Sequence, residues 1–314
     1  MFNIIQRRYL YFTLSAIIII PGLIAMIIST VQYGAPFRLS IDFTGGALQE
    51  LRFDQPVQPD QIRQIFIDRG YGDTYVTTAG DSQTVLIRSK FLDEETKAAI
   101  QAEMRQTIGD FEERRFEAVG PTIGREVTRA GGTAILVASV VILAFIWWAF
   151  RKLPHSFRYG ICAVAAMVHD VLVVSGLFAL AGLVTGWEVD ALFLTALLTV
   201  IGFSVQDTIV VFDRIRENIP KRRGEDYETV VNRSLLETIH RSLATQLNAI
   251  FVLIAILFFG GATIKQFVAV LLIGMISGTY SSLFTAVPLL VVWQKGEIGG
   301  FLRRLLGRPA RAAA

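Results

Sequence analysis

Six stretches of this 314-residue chain are long and apolar enough to cross a bilayer: residues 10–30, 130–150, 159–184, 191–212, 243–260 and 267–293. About twenty residues of helix span the hydrocarbon layer, so each stretch predicts one transmembrane helix. Composition agrees. With 53% hydrophobic residues and 18% charged, and a mean hydropathy of +0.50, the chain lies outside the range of ordinary soluble domains. The first span follows Arg7-Arg8, as a twin-arginine or secretory signal would. It lacks a small-residue cleavage site and five more spans follow, so it reads as an uncleaved first helix.

The basic residues flank these spans, which ties the pI of about 9.1 to topology rather than to nucleic acid. Arg7 and Arg8 precede the first span, and Arg151, Lys152 and Arg158 separate the second from the third. Seven Lys or Arg lie between the fourth and fifth, and five follow the sixth, from Lys295 to Arg311. The opposite short loops, 185–190 and 261–266, hold only Lys265. The positive-inside rule therefore predicts cytoplasmic placement for the N-terminus (1–9), the loops 151–158 and 213–242, and the tail 294–314. The tail's 303–314 segment is basic and suited to anionic membrane lipid.

Residues 31–129 then lie outside, as a mildly acidic domain with twelve Lys/Arg against sixteen Asp/Glu. Alternation predicts a half-buried strand at 48–53; 75–78 and 84–88 read as strands around Gly80-Asp81, and 111–119 returns as a strand. Helical spacing predicts a helix at 59–69, and another is predicted at 93–108, opened by acidic residues. Two β-α-β units of this size point to an α+β, ferredoxin-like fold. Gly45-Gly46 read as a tight turn or a close backbone approach. The domain shows no catalytic triad, metal motif or phosphate loop. The lone Cys162 offers neither a disulfide framework nor metal spacing. No cofactor and no enzymatic activity is expected.

The fourth span carries one formal charge, Asp207, in LFLTALLTVIGFSVQDTIVVF. A carboxylate at the centre of a membrane helix costs about 2.5–3.5 kcal/mol on insertion scales. Such a residue calls for a partner or a task. Ser204 lies one turn before it, with Gln206 alongside and Thr195 and Thr199 further back. The third span holds His169-Asp170, and Arg241 enters the fifth with Thr245 and Asn248 at helical spacing. These residues are expected to face inward and meet in one wet seam.

Such a seam is a switch. Removing a carboxylate from water favours its protonated form, while a nearby guanidinium favours the ionised one. Motion that separates Arg241 from Asp207 would let Asp207 take a proton, and approach would expel it. A proton crossing the membrane field delivers about 2.3 kcal/mol per 100 mV. The plainer readings stay open: the charges can simply hold helices together, Arg241 can snorkel to the surface, and His169 can be a neutral interhelical residue.

The run at 198–218 (LTVIGFSVQDTIVVFDRIREN) closely resembles the signature of the SecF family, the smaller membrane subunits of SecD–SecF export complexes in the RND superfamily. IDFTGG at 41–46, VGPTIGREV at 119–127, MVHDV at 167–171 and NRSLLETIHRSLATQLN at 232–248 match in the same order. The resemblance implies a proton-driven subunit of Sec-dependent secretion in the bacterial cytoplasmic (inner) membrane. Asp207 and Arg241 would then be the pair tied to proton flow. It also implies a separate SecD with six further helices and another membrane carboxylate, together with SecY and a translocating polypeptide as neighbours. Phe203 and Gln206 stand where the family usually shows Tyr and Asn. Glycine spacings at Gly274/Gly278 and Gly182/Gly186 suit a partner helix or internal packing equally. Pro21 and Pro288 should kink the first and sixth helices. The alternatives are an RND-type proton-coupled exporter of small molecules or lipids, and a passive scaffold. No Ser/Lys, HExxH or paired catalytic Asp pattern supports an intramembrane protease.

Overall fold

The computed structural model describes residues 3–151, 155–261 and 264–297. Lys152 and the basic tail 303–314 lie outside the described residues. The chain divides into two compact units, Leu39–Gly132 and the remainder. Among the described residues six helices have the length and composition to cross a membrane, so this is a multi-pass membrane protein.

A 3-10 turn, Ile5–Arg7, leads into α1, Arg8–Tyr33, which ends at Gly34 in the left-handed region. The smaller unit follows. A single turn, α2 (Ile41–Thr44), is capped by Ser40, whose hydroxyl accepts from the Asp42 amide. Then come β1 (Gly46–Phe53), α3 (Pro59–Asp68), β2 (Tyr75–Thr78), β3 (Thr84–Ser89), α4 (Glu94–Thr107) and β4 (Phe111–Val119). The sheet order β2-β3-β1-β4, antiparallel throughout, is the β-α-β-β-α-β arrangement of ferredoxin-like domains. Its core joins the inward faces of β1 and β3 (Leu51, Phe53, Ile87) to the helix stripes of Ile62, Phe66, Ile100 and Met104. The glycine pair has a steric cause. Gly45 and Gly46 have φ of 71° and 129°, and a Cβ on Gly46 would lie 2.7 Å from the Ser89 carbonyl oxygen.

The second membrane helix, α5, covers Pro121–Ala149. It begins nine residues before the apolar run does, because the polar stretch ahead of that run is already helical. Next come α6 (Ser156–Thr185), α7 (Ala191–Lys221), α8 (Tyr227–Phe259), α9 (Lys265–Ser281), a π-turn (Ser282–Ala286) and α10 (Val287–Gln294). The polar stretch 213–242 is largely continuous extension of α7 and α8. The π-turn precedes Pro288, which sits at the start of α10. Proline has no N–H for the preceding turn, and a widened turn absorbs that loss.

Glycines set the helix spacing. A Cβ on Gly22 would lie 2.7 Å from the Gly176 Cα, so α1 and α6 touch backbone to backbone. On α9, Gly274 lies under Val200 and Gly278 under Ser204. The α9 glycine face therefore packs inside the chain against α7, and Gly186 is a helix-ending residue at φ 78°. At one end of the bundle, Arg8 pairs with Glu297 at 2.6 Å and with Glu228 at 3.4 Å. Lys295 also pairs with Glu228, and the Asn232 amide oxygen accepts from the Ile4 and Ile5 amides.

Two outcomes follow for the smaller unit. Gly46→Ala places a Cβ where backbone stands and should destabilise it by about 2 kcal/mol, read as a lower Tm of the detergent-solubilised chain. Asp93 caps α4 and Asp81 caps the turn before β3; hydrogen bonds from Thr96 and Thr84 hold their carboxyls below the usual range. Stability gained this way is present above the ordinary Asp range and is lost as pH falls through the lowered values. An Asp93→Asn/Asp81→Asn double variant should show a flatter stability profile below about pH 4, and an unchanged profile counts against this assignment.

Candidate functional site

The fourth membrane helix delivers Asp207 to the interior. On α7, Val200, Ile201, Ser204, Asp207, Thr208 and Val211 are buried, which is one helical face. The Asp207 side chain is 6% exposed, and Gln246 Nε2 on α8 donates to its Oδ2 at 2.6 Å. Helices α7 and α8 run antiparallel, and their bonds keep one register. Asn218 donates to Ser234 Oγ at 3.0 Å, Arg214 meets Glu237 at 2.6 Å, and Gln246 reaches Asp207. Among the described residues Asp207 has no cationic partner. Two buried oxygens on the same face of α8, Gln246 Oε1 and Ser242 Oγ, have no hydrogen-bond partner among the described residues.

A second carboxylate is held differently. Asp170 on α6 is fully buried. Its Oδ1 accepts from Ser277 Oγ at 2.6 Å, and its Oδ2 accepts from Ser204 Oγ at 2.5 Å and Ser281 Oγ at 2.6 Å. His169 Nδ1 lies 3.1 Å from Oδ1, while its Nε2 reaches Ser15 Oγ on α1 at 2.9 Å. The His169 ring also stacks on Tyr280, centroids 6.0 Å apart. Ser15 meets His169 and Gly22 meets Gly176, each pair advanced by seven residues, so α1 and α6 run parallel. The network thus joins α1, α6, α7 and α9 around one carboxylate.

The anticipated seam is therefore two centres. Ser204 faces inward, but its hydroxyl serves Asp170 rather than Asp207. Gln206 is exposed on the outside of the bundle. Arg241, Thr245 and Asn248 share a face, yet that face is exposed too. Among the described residues no ion pair joins Arg241 to Asp207, and the Thr245 hydroxyl turns back to the Arg241 carbonyl at 3.0 Å. The cause is the phase of α8. Its inward face is set from its first turns by Val230, Val231, Ser234 and Leu235, and continues through Thr238, Ser242 and Gln246. That face passes about one residue away from the Arg241 stripe. Gln246 was legible as the second polar side chain of the fifth span, but charge made Arg241 the more conspicuous choice.

Arg241 instead lines a cavity of about 440 Å³ with Ile209, Val210, Asp213, Arg214, Glu217, Glu237 and Thr238. No group of three or more His, Cys, Asp or Glu suited to a metal ion occurs among the described residues.

The C-terminal model of the SecD/SecF protein export membrane proteins matches residues 99–296, and the SecD/SecF GG motif matches 33–57. Protein translocase subunit SecF of Anaerolinea thermophila is 47% identical, over 99% of this chain and 100% of its own. The subunit of the same name from Thermobaculum terrenum is also 47% identical, over 97% and 98%. The chain belongs to the SecD/SecF family of protein export membrane proteins. The crystal structure of SecDF from Thermus thermophilus, described as a translocon-associated membrane protein, superposes with a TM-score of 0.76 at 30% identity. It covers 94% of this chain, which spans only 39% of the SecDF chain.

Family membership gives the glycine motif its place: its two glycines are the steric pair described above. The two departures from the usual SecF run, Phe203 and Gln206, are both exposed, so neither touches the Asp207–Gln246 bond. Ser277→Ala and Ser281→Ala each remove one donor from the buried Asp170 carboxylate. Each should cost about 1–3 kcal/mol, measured by thermal unfolding in detergent beside Thr245→Ala as an exposed control. Equal Tm values for all three would show that the serine bonds do not hold the bundle.

Proposed function

We propose that this protein is the SecF-type subunit of an export accessory complex, and that it uses the proton motive force to assist late, ATP-independent steps of polypeptide export. The observation that carries the proton-coupled part is the setting of Asp207. It is buried in a membrane helix and bonded to one neutral amide, with no cation beside it among the described residues. A carboxylate without a fixed counter-charge can exchange a proton at a cost the membrane gradient covers. His169 and Asp170 belong to the same relay as its better-anchored centre, and Arg241 acts on it from the outer face of α8.

A separate SecD is the proposed partner, supplying six more helices and another membrane carboxylate. Thr195, Thr199 and Gln206 on α7, and Arg241, Thr245 and Asn248 on α8, stand on the outside of this bundle. Polar side chains facing lipid cost free energy, so a protein neighbour suits that surface better. SecY, the translocating polypeptide and anionic lipid complete the assembly in the bacterial inner membrane, with both termini cytoplasmic.

The test is gradient-dependent completion of secretion in membrane vesicles carrying this protein with its SecD. Asp207→Asn should abolish the gradient's contribution with the complex still assembled, and Arg241→Met should reduce it strongly. Full activity of both assembled variants would leave the charges structural and sink the transducer reading.

A further inference from the structure

The proposed function needs a path by which protons leave Asp207 for the cytoplasm, and three side chains of α8 mark one. Thr238, Ser242 and Gln246 lie four residues apart on the buried face of α8. Thr238 lines the cavity that Asp213, Arg214, Glu217, Glu237 and Arg241 also line. Gln246 is bonded to Asp207. Between them, Ser242 is 3% exposed and its hydroxyl has no hydrogen-bond partner among the described residues; neither has the amide oxygen of Gln246.

The register of the two helices places the inner end of the cavity. Arg214 meets Glu237 and Asp207 meets Gln246, so Ser242 stands across from Val210 and Val211. Val210 lines the cavity, and Val211 is fully buried. The cavity therefore ends about one helical turn from Asp207, and Ser242 occupies that turn. Four residues of helix rise about 6 Å, too far for a direct hydrogen bond of about 3 Å and suited to one water between successive rungs. A buried hydroxyl and a buried amide oxygen, both lacking partners, are the groups that hold such a water. The facing valines offer no competing donor or acceptor.

We infer that Thr238, Ser242 and Gln246 form the proton route between the α7–α8 cavity and Asp207, with water carried between the Ser242 hydroxyl and the Gln246 amide oxygen. Protonated Asp207 gives its proton to that water, and another proton of the same water passes on to the cavity. The carboxylic acid becomes a carboxylate and the water is regenerated. Gln246 does not titrate; it positions both the water and the carboxylate. Asp213, Glu217 and Glu237 are the carboxylates at the mouth, with Arg214 and Arg241 as the cations among them. In the proposed orientation this mouth opens to the cytoplasm. The route rests on the proton-coupled reading of Asp207 and adds its residues.

The test is proton flux into vesicles that hold the complex with its SecD, followed by an internal pH-sensitive dye under an imposed pH gradient. Valine and threonine have nearly the same shape, so Ser242→Val and Ser242→Thr separate the hydroxyl from its bulk. Ser242→Val should slow flux about tenfold, Ser242→Thr should restore most of it, and Gln246→Leu should slow it at least as much as the valine variant. If Ser242→Val does not assemble, Thr238→Val compared with Thr238→Ser makes the same separation one rung outward. Wild-type flux in Ser242→Val, or equal loss in the valine and threonine variants, overturns the route. If Asp207→Asn abolishes flux at the same time, the proposed function survives without it. Unchanged flux in Asp207→Asn removes both.

Discussion

Asp170 accepts three serine hydroxyls from two other helices and, through His169, reaches a fourth. In lipid the hydrophobic effect does not drive helices together, since acyl chains are as apolar as leucine. Close backbone packing and hydrogen bonds to groups that would otherwise be orphaned do that work instead. The glycine contacts are therefore inseparable from the carboxylate. Gly278 lets Ser204 approach α9, and that approach brings Ser204, Ser277 and Ser281 onto the same two oxygens. Gly22 against Gly176 does the same for α1, two turns from the Ser15–His169 bond.

The two membrane carboxylates differ in how fully they are answered. Asp170 has several donors and an adjacent imidazole, and so it serves to fix helices. Asp207 has one amide, with unsatisfied oxygens nearby. A polar group in a low-dielectric setting is costly when incompletely paired, and such a group responds to a change of proton or neighbour. Burial alone does not separate the two residues. The count and kind of their partners does.

Much of this was legible in the residues. The strands at 75–78 and 111–119 stand where the sequence predicts them, and β1 buries every second residue, because a half-buried sheet enforces a period of two. Helix ends were less legible. Hydropathy marks where a helix enters lipid, not where its hydrogen bonds begin, so α5 and α8 start well before their apolar runs. The site was legible in its carboxylates and not in its pairing. Asp207, His169 and Asp170 declared themselves as ionisable groups in apolar stretches. Arg241 and Gln246 are five residues apart on one helix, and only the packing of the first turns of α8 decides which of them faces Asp207. Ser15, one of several hydroxyls in an isoleucine-rich helix, carried no local signal, since its meaning depends on His169 more than a hundred residues away.

The π-turn at Ser282–Ala286 places one more residue in its turn than a regular helix holds. The sixth span thereby presents two faces of different phase to one core: Ser277 and Ser281 toward Asp170, then Val287, Leu290 and Val291 toward the apolar cluster around Phe212. A regular helix of the same sequence would have to give up one of these alignments, turning either the serines from the carboxylate or the valines into lipid. The widened turn works as a phase shifter, letting a single helix serve a polar centre in one half and a greasy one in the other.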